Sequence, residues 1–153
     1  MHWLMKSEPD AFGIDELKKR GSEPWSGVRN YQARNFMRDR MQPGETAFLY
    51  HSSCEQPGIY GVMEIAGAAY PDPTQFERKS PYHDPKATRE QPRWFLVDVK
   101  YQRHLRRPIL LSELREREQD FKGLVLLRKG SRLSIQPVSD AHWDDILKLE
   151  AKR

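Results

Sequence analysis

The chain of 153 residues has a single cysteine, Cys54, so it cannot carry an internal disulfide framework or a paired-thiolate zinc site. Its lone thiol suits a reducing compartment. No apolar run approaches the roughly 20 residues of a membrane span, and Met1–Pro9 lacks the basic start and apolar stretch of a signal peptide. The expectation is one soluble, cytoplasmic domain over 1–153, long enough to bury a core without metal or disulfide staples.

Catalytic signatures are also missing. There is no G-x-x-x-x-G-K-[ST], no G-x-G-x-x-G after a strand, no H-E-x-x-H and no G-x-S-x-G. His2, His51, His83, His104 and His142 are scattered, with no ligand spacing between any pair. The run His51-Ser52-Ser53-Cys54 sets a thiol near an imidazole, but no third orienting group is apparent. His51 therefore reads as a hydrogen-bonding group at a strand end and Cys54 as a small filler. Asp15-Glu16 and Asp144-Asp145 are adjacent residues on helical stretches, which point apart and read as surface. No metal, cofactor or catalytic residue is expected.

What is present begins with charge. The formal net charge of +4 leans toward a polyanionic partner, and basic residues outnumber acidic ones between Lys100 and Arg132. Coarse patterning gives a strand at 2–6, then a short amphipathic helix with Phe12, Ile14 and Leu17, closed by Gly21. Trp25–Asn30 is loop, and Asn30 caps a helix from Tyr31 to about Arg38. Strands follow at 45–51, 58–70 and 93–105, with Gly61 and Gly67 marking bulges or bends in the second. The stretch 71–92, holding Pro73, Pro81 and Pro85, is a long loop of the kind that carries specificity. Ser112 and Ser139 are the expected caps of helices 111–118 and 139–149, the latter burying Trp143. Trp3 also reads as core.

The densest unusual cluster is Trp25-Ser26-Gly27-Val28-Arg29-Asn30-Tyr31-Gln32-Ala33-Arg34-Asn35-Phe36. An indole or phenol stacks on a base, arginine meets phosphate, and amides read polar base edges. Gly27 admits close backbone approach. The competing reading makes Trp25, Val28 and Phe36 core and the polar residues a solvated helix face.

Trp3-Leu4-Met5-Lys6-Ser7-Glu8-Pro9, followed by the segment from Gly27 to Phe36, resembles the EVE domain family. Tyr50-His51-Ser52, Tyr70-Pro71-Asp72, Pro92-Arg93-Trp94, Val97-Asp98-Val99 and Arg132–Val138 match later segments in order, while Ser53, Ser131 and Ile135 depart mildly. The resemblance implies a mixed α/β, PUA-like β-barrel, mainly antiparallel and flanked by short helices, related to YTH and ASCH domains. It implies a non-catalytic module that binds DNA or RNA and holds an extruded, modified base in an aromatic pocket. The pocket would be bordered by Trp25, Ser26, Gly27, Val28, Asn30 and Tyr31, with His51 and Ser52 at a neighbouring strand end. Leu133, Ser134 and Pro137 would close another side. Arg29, Arg34 and Arg132 would meet phosphates, and Trp94 is a pocket candidate for which core is the stronger reading. A nuclease or base-processing hydrolase working through His51 is the alternative, separated by turnover. A small nucleotide-like ligand is another, separated by indifference to polymer length.

Overall fold

The first strand explains the architecture, because its three central residues are fully buried and face alternately to the two sides of one sheet. In the computed structural model, which describes residues 1–130 and 132–151, β1 (His2–Ser7) sends Trp3 and Met5 into one apolar cluster and Leu4 into another. Such a strand must lie inside its sheet, and a continuous apolar run suits parallel pairing. β1 indeed runs parallel to β3 (Thr46–His51) and antiparallel to β8 (Ile135–Val138). Ser131 lies outside the described residues.

The remaining strands are β2 (Ser22–Pro24), β4 (Gly58–Ile65), β5 (Tyr70–Pro71), β6 (Phe95–Leu96) and β7 (Asp98–Leu110). The main sheet has six strands in the order β2-β7-β4-β3-β1-β8, while β5 and β6 form a separate ribbon. All pairings other than β1–β3 are antiparallel. Register shifts at Leu49/Tyr50, Ile59/Gly61 and Val62/Met63 bend β3, β4 and β7 into a curled half-barrel, as a bulge increases local twist. Gly61 fulfils its expected role. A Cβ there would sit 2.3 Å from Ile14 Cδ1, so α1 (Ile14–Arg20) could not pack so closely on β4.

Two expected caps form: Asn30 Oδ1 accepts from Ala33 N–H at 2.9 Å, and Ser139 Oγ accepts from His142 N–H at 3.1 Å. Asn30 opens α2 (Tyr31–Asn35), which passes directly into a π-helical turn at Phe36–Arg40. Ser139 opens α4 (Asp140–Glu150), whose Trp143 stacks on Phe48 at 3.8 Å.

Several boundaries differ from expectation. The strand expected at 58–70 ends at Ile65, bends at Gly67 and resumes only as β5. The one expected at 93–105 divides into β6 and β7, and β7 continues to Leu110. Pro108 is tolerated there because β2 pairs only with residues 98–100, leaving that side of β7 without a ladder to break. Ser112 is not a cap: α3 (Leu111–Glu116) starts after Leu110 and has no side-chain cap bond. The basic stretch is partly neutralised, with Arg103 on Glu150 at 2.6 Å and Arg107 on Glu113 at 2.7 Å. Among the described residues, no helix is long and apolar enough to cross a membrane.

Candidate functional site

A cleft of about 660 Å³ opens where β1 ends, walled mainly by residues 6–12 and 23–29 and completed by Glu16, Arg20, Tyr82 and Ser134. Each wall has a local cause. Ala11 and Phe12 N–H both donate to Glu8 carbonyl oxygen at 2.9 Å, and Ser7 Oγ donates to Phe12 carbonyl oxygen at 2.6 Å, which folds 8–12 into a tight turn. Trp25 N–H donates to Val97 carbonyl oxygen at 2.9 Å, extending the β2–β7 ladder by one residue. The indole then packs inward, edge-on to Phe12 at 5.9 Å, with only 7% of Trp25 exposed.

Gly27 stands at φ +83°, a left-handed conformation that favours glycine. Its N–H donates to Asp72 Oδ2 at 2.8 Å, and a Cβ here would lie 2.8 Å from the Tyr82 ring. Asp72 is fully buried and is also held by Thr74 N–H and Oγ1, at 2.8 and 2.6 Å. Arg29 completes this brace. Its Nε and Nη2 donate to Tyr82 carbonyl oxygen at 3.0 and 2.6 Å, Nη2 also to Thr74 Oγ1 at 3.0 Å, and Nη1 to Val28 carbonyl oxygen and Asp72 Oδ2 at 2.9 and 3.3 Å. The five N–H groups of a guanidinium are thereby all directed at protein oxygens.

The 72–94 segment is thus a structured strap. Buried Gln75 receives Arg93 and Trp94 N–H on Oε1, at 3.0 and 2.9 Å, and donates through Nε2 to the carbonyl oxygens of Asp72 and Trp94. Trp94 Nε1 donates to Asp84 Oδ2 at 2.8 Å, and this bond holds the Asp84 carboxyl below its ordinary range.

Charge inside the cleft is mixed. Glu8, Asp10, Glu16 and Glu23 face it together with Lys6 and Arg20, and Arg20 is tied to Glu23 at 2.9 Å. Burial pushes the Lys6 ammonium below the ordinary lysine value. With Arg29 the lining sets three cations against four carboxylates, so it offers both donors and acceptors to the polar edges of a ligand.

Trp25, Ser26, Gly27, Val28, Arg29 and Ser134 share the cleft. His51 stands behind it: 8% exposed, stacked on Tyr60 at 4.1 Å, and accepting Ile14 N–H on Nε2 at 3.2 Å. Burial lowers its pKa, so the neutral imidazole acts as an acceptor and its Nε2 lone pair is already engaged. Ser52 donates its N–H to Ser7 carbonyl oxygen at 2.9 Å. The other expected residues lie apart. Asn30 serves α2 as its cap, Tyr31 stacks on Trp94 at 4.7 Å, and Arg34 lies over the Tyr31 ring at 4.7 Å while donating to Arg93 carbonyl oxygen. Leu133 packs on the core, Pro137 pairs with Trp3 in β8, and Arg132 is exposed. Trp94, 6% exposed, belongs to the strap interior and not to the cleft lining. Arg29, expected at a phosphate, here directs its donors at the strap and acts as a brace; Arg34 is similarly engaged, with Asn35 Oδ1 and Arg93 carbonyl oxygen. Sequence reasoning missed Lys6, Phe12 and Tyr82. The signal for Tyr82 was an aromatic residue between Pro81 and Pro85 in a loop too long to be only a connection.

A curled, PUA-like half-barrel with an open cleft at one strand end defines the class, and known proteins of that class match the chain. The EVE domain family matches residues 1–149, and the chain belongs to that family. It is 45% identical over 169 residues to human thymocyte nuclear protein 1, covering 99% of this chain and 74% of that protein. A crystal structure from Pseudomonas putida is 47% identical with a TM-score of 0.94, covering 98% of this chain and 99% of the other. The human THYN1 protein in complex with 5-methylcytosine-containing DNA is 45% identical with a TM-score of 0.95, over 99% of this chain and 98% of the other.

Proposed function

We propose that residues 1–153 form one nucleic-acid-binding domain that captures an extruded, modified base in the cleft beside Trp25 and performs no turnover. The observation that carries this reading is the cleft itself: at about 660 Å³ it has ample room for a base, with aromatic groups to stack on it and both acidic and basic side chains to meet its polar edges. The relative held in a complex with 5-methylcytosine-containing DNA makes that base the first candidate. Extrusion costs a few kcal/mol and stacking returns about 1–3 kcal/mol per base, so backbone contacts outside the cleft must supply much of the affinity. Arg34 and Arg132, outside the cleft lining, are the proposed phosphate contacts. No cofactor is invoked, and the compartment proposed is the cytoplasm.

The test is titration of labelled oligonucleotides that differ by one modified base, at several salt concentrations, with mass analysis of the recovered strands. We expect tighter binding of one modified strand, a steep fall of affinity with salt and unchanged strands after incubation. Equal affinity for every base would contradict base capture, and altered strands would restore the hydrolase reading.

A further inference from the structure

We propose that Tyr82 is the main stacking surface of the cleft and that Arg29 is the residue that positions it; this deepens the base-capture reading and rests on it. Stacking draws its energy from aromatic surface that is still open. Aromatic side chains have about 150–250 Å² to bury, so at 7% exposure Trp25 has on the order of 10–20 Å² left, against roughly 60–100 Å² for Tyr82 at 41%. Trp25 is already consumed by Phe12 and the core beneath it and serves as the floor. Phe12 is half-buried against the same core, which leaves Tyr82 as the exposed aromatic group of the cleft lining.

The geometry says which face is covered. A Cβ built on Gly27 would lie 2.8, 2.9 and 3.0 Å from Tyr82 Cζ, Cε2 and Cε1, nearly equal distances that place it over the ring plane and not at its edge. One face of the phenol is therefore covered by the bare Gly27 backbone, so stacking falls to the remaining surface of a residue that is 41% exposed. Glycine is required twice here, for its positive φ and for this contact.

The ring is also preset. Tyr82 is an exposed residue on a loop, yet its backbone is fixed at both polar atoms: the carbonyl oxygen by Arg29 at 2.6 and 3.0 Å, and the N–H by Ser80 Oγ at 3.0 Å. The Arg29 guanidinium lies 5.6 Å from the ring centroid, and buried Asp72 anchors both that guanidinium and Gly27 N–H. A ring held this way loses little freedom when a base docks on it, which is the benefit of preorganisation.

The experiment titrates wild type, Tyr82→Ala, Tyr82→Phe, Arg29→Lys and the Tyr82→Ala/Arg29→Lys double variant. The probes are two fluorescein-labelled strands that carry one 5-methylcytosine or cytosine at the same position. Tyr82→Phe should stay within about twofold of wild type, since it keeps the ring. Tyr82→Ala should weaken the modified strand by about 5- to 100-fold and collapse the preference toward one, while the salt slope holds. Arg29→Lys should reduce the preference, and the double variant should be no worse than Tyr82→Ala alone, because Arg29 acts through Tyr82. A wild-type preference that survives Tyr82→Ala, or a Tyr82→Ala loss equal on both strands, overturns the stacking role. Fully additive losses in the double variant overturn the positioning role. A wild-type protein with no preference overturns base capture itself, and this proposal with it, before any variant is read.

Discussion

The two faces of the sheet are stabilised by different means. On one, Trp143 lies between Phe48 and His2, at 3.8 and 4.3 Å, and Leu4, Val62, Ile146 and Leu149 complete an apolar seal. On the other, Trp3, Met5, Leu17 and Trp25 make a comparable core, but beyond Trp25 the packing stops and directional bonds take over. Arg29, Asp72 and Gln75 hold the strap at fixed distances without filling the space in front of it. A binding face cannot be closed by apolar packing and stay open to a ligand. Hydrogen bonds to buried, charged or amide groups fix position while leaving a cavity, and their loss costs stability as well as geometry.

The largest effects should come from the two tryptophans, which separate the faces. Trp143→Ala should lower unfolding free energy by about 3–5 kcal/mol in denaturant titrations, yet leave the base preference of the folded fraction unchanged. Trp25→Ala should lose stability of similar size and the preference as well, because its indole is both core and cleft floor. Of the two readings that the sequence left open for Trp25, pocket wall or core, its burial supports both at once: 7% exposed, it packs on the core and still lines the cleft.

Next in size is the brace. Asp72→Asn removes the charge that Arg29 and Gly27 N–H converge on and should cost about 1.5–3 kcal/mol in thermal or chemical melts. It should also erode the base preference, whereas apolar truncations on the Trp143 face do not. Loss of preference without loss of stability would show that the strap is not held by this bond network.

A smaller effect is pH dependence behind the cleft. Burial favours neutral His51, so its folded-state pKa lies below the ordinary value of about 6.5. As pH falls the unfolded chain takes up the proton first, so the contribution is full above about pH 6.5 and declines below it. His2, also lowered mainly by burial, adds to the same trend. His51→Gln should flatten part of the decline in melting temperature between pH 7 and 5, and an unchanged profile would argue against a buried neutral imidazole. Smallest of all, Arg34→Gln should weaken modified and unmodified strands alike and reduce the salt slope by about one.

Residues with a single local cause were legible in the sequence. The apolar run of β1, the Asn30 and Ser139 caps and the core positions of Trp3 and Trp143 follow from patterning or cap chemistry alone. β2 and β8 were not legible, because strands of three and four residues are set by the neighbours they pair with and not by their own pattern. The cleft was half legible. Trp25 to Arg29 stood out by composition, but Tyr82 is separated from Gly27 by more than fifty residues and meets it only where the strap folds back onto Arg29. Arg29 was visible as a cation; that its donors are spent internally depends on where the strap returns.

The central claim is that base capture occurs on the braced face, in the cleft floored by Trp25. The four tryptophans give a direct measure of it, since each indole N–H has its own nitrogen–proton resonance. On addition of an oligonucleotide carrying one 5-methylcytosine, the Trp25 indole and Gly27 amide resonances should move, while those of Trp143 remain in place. Movement of Trp143, or salt-dependent binding that leaves Trp25 and Gly27 unmoved, would place recognition elsewhere and contradict the account.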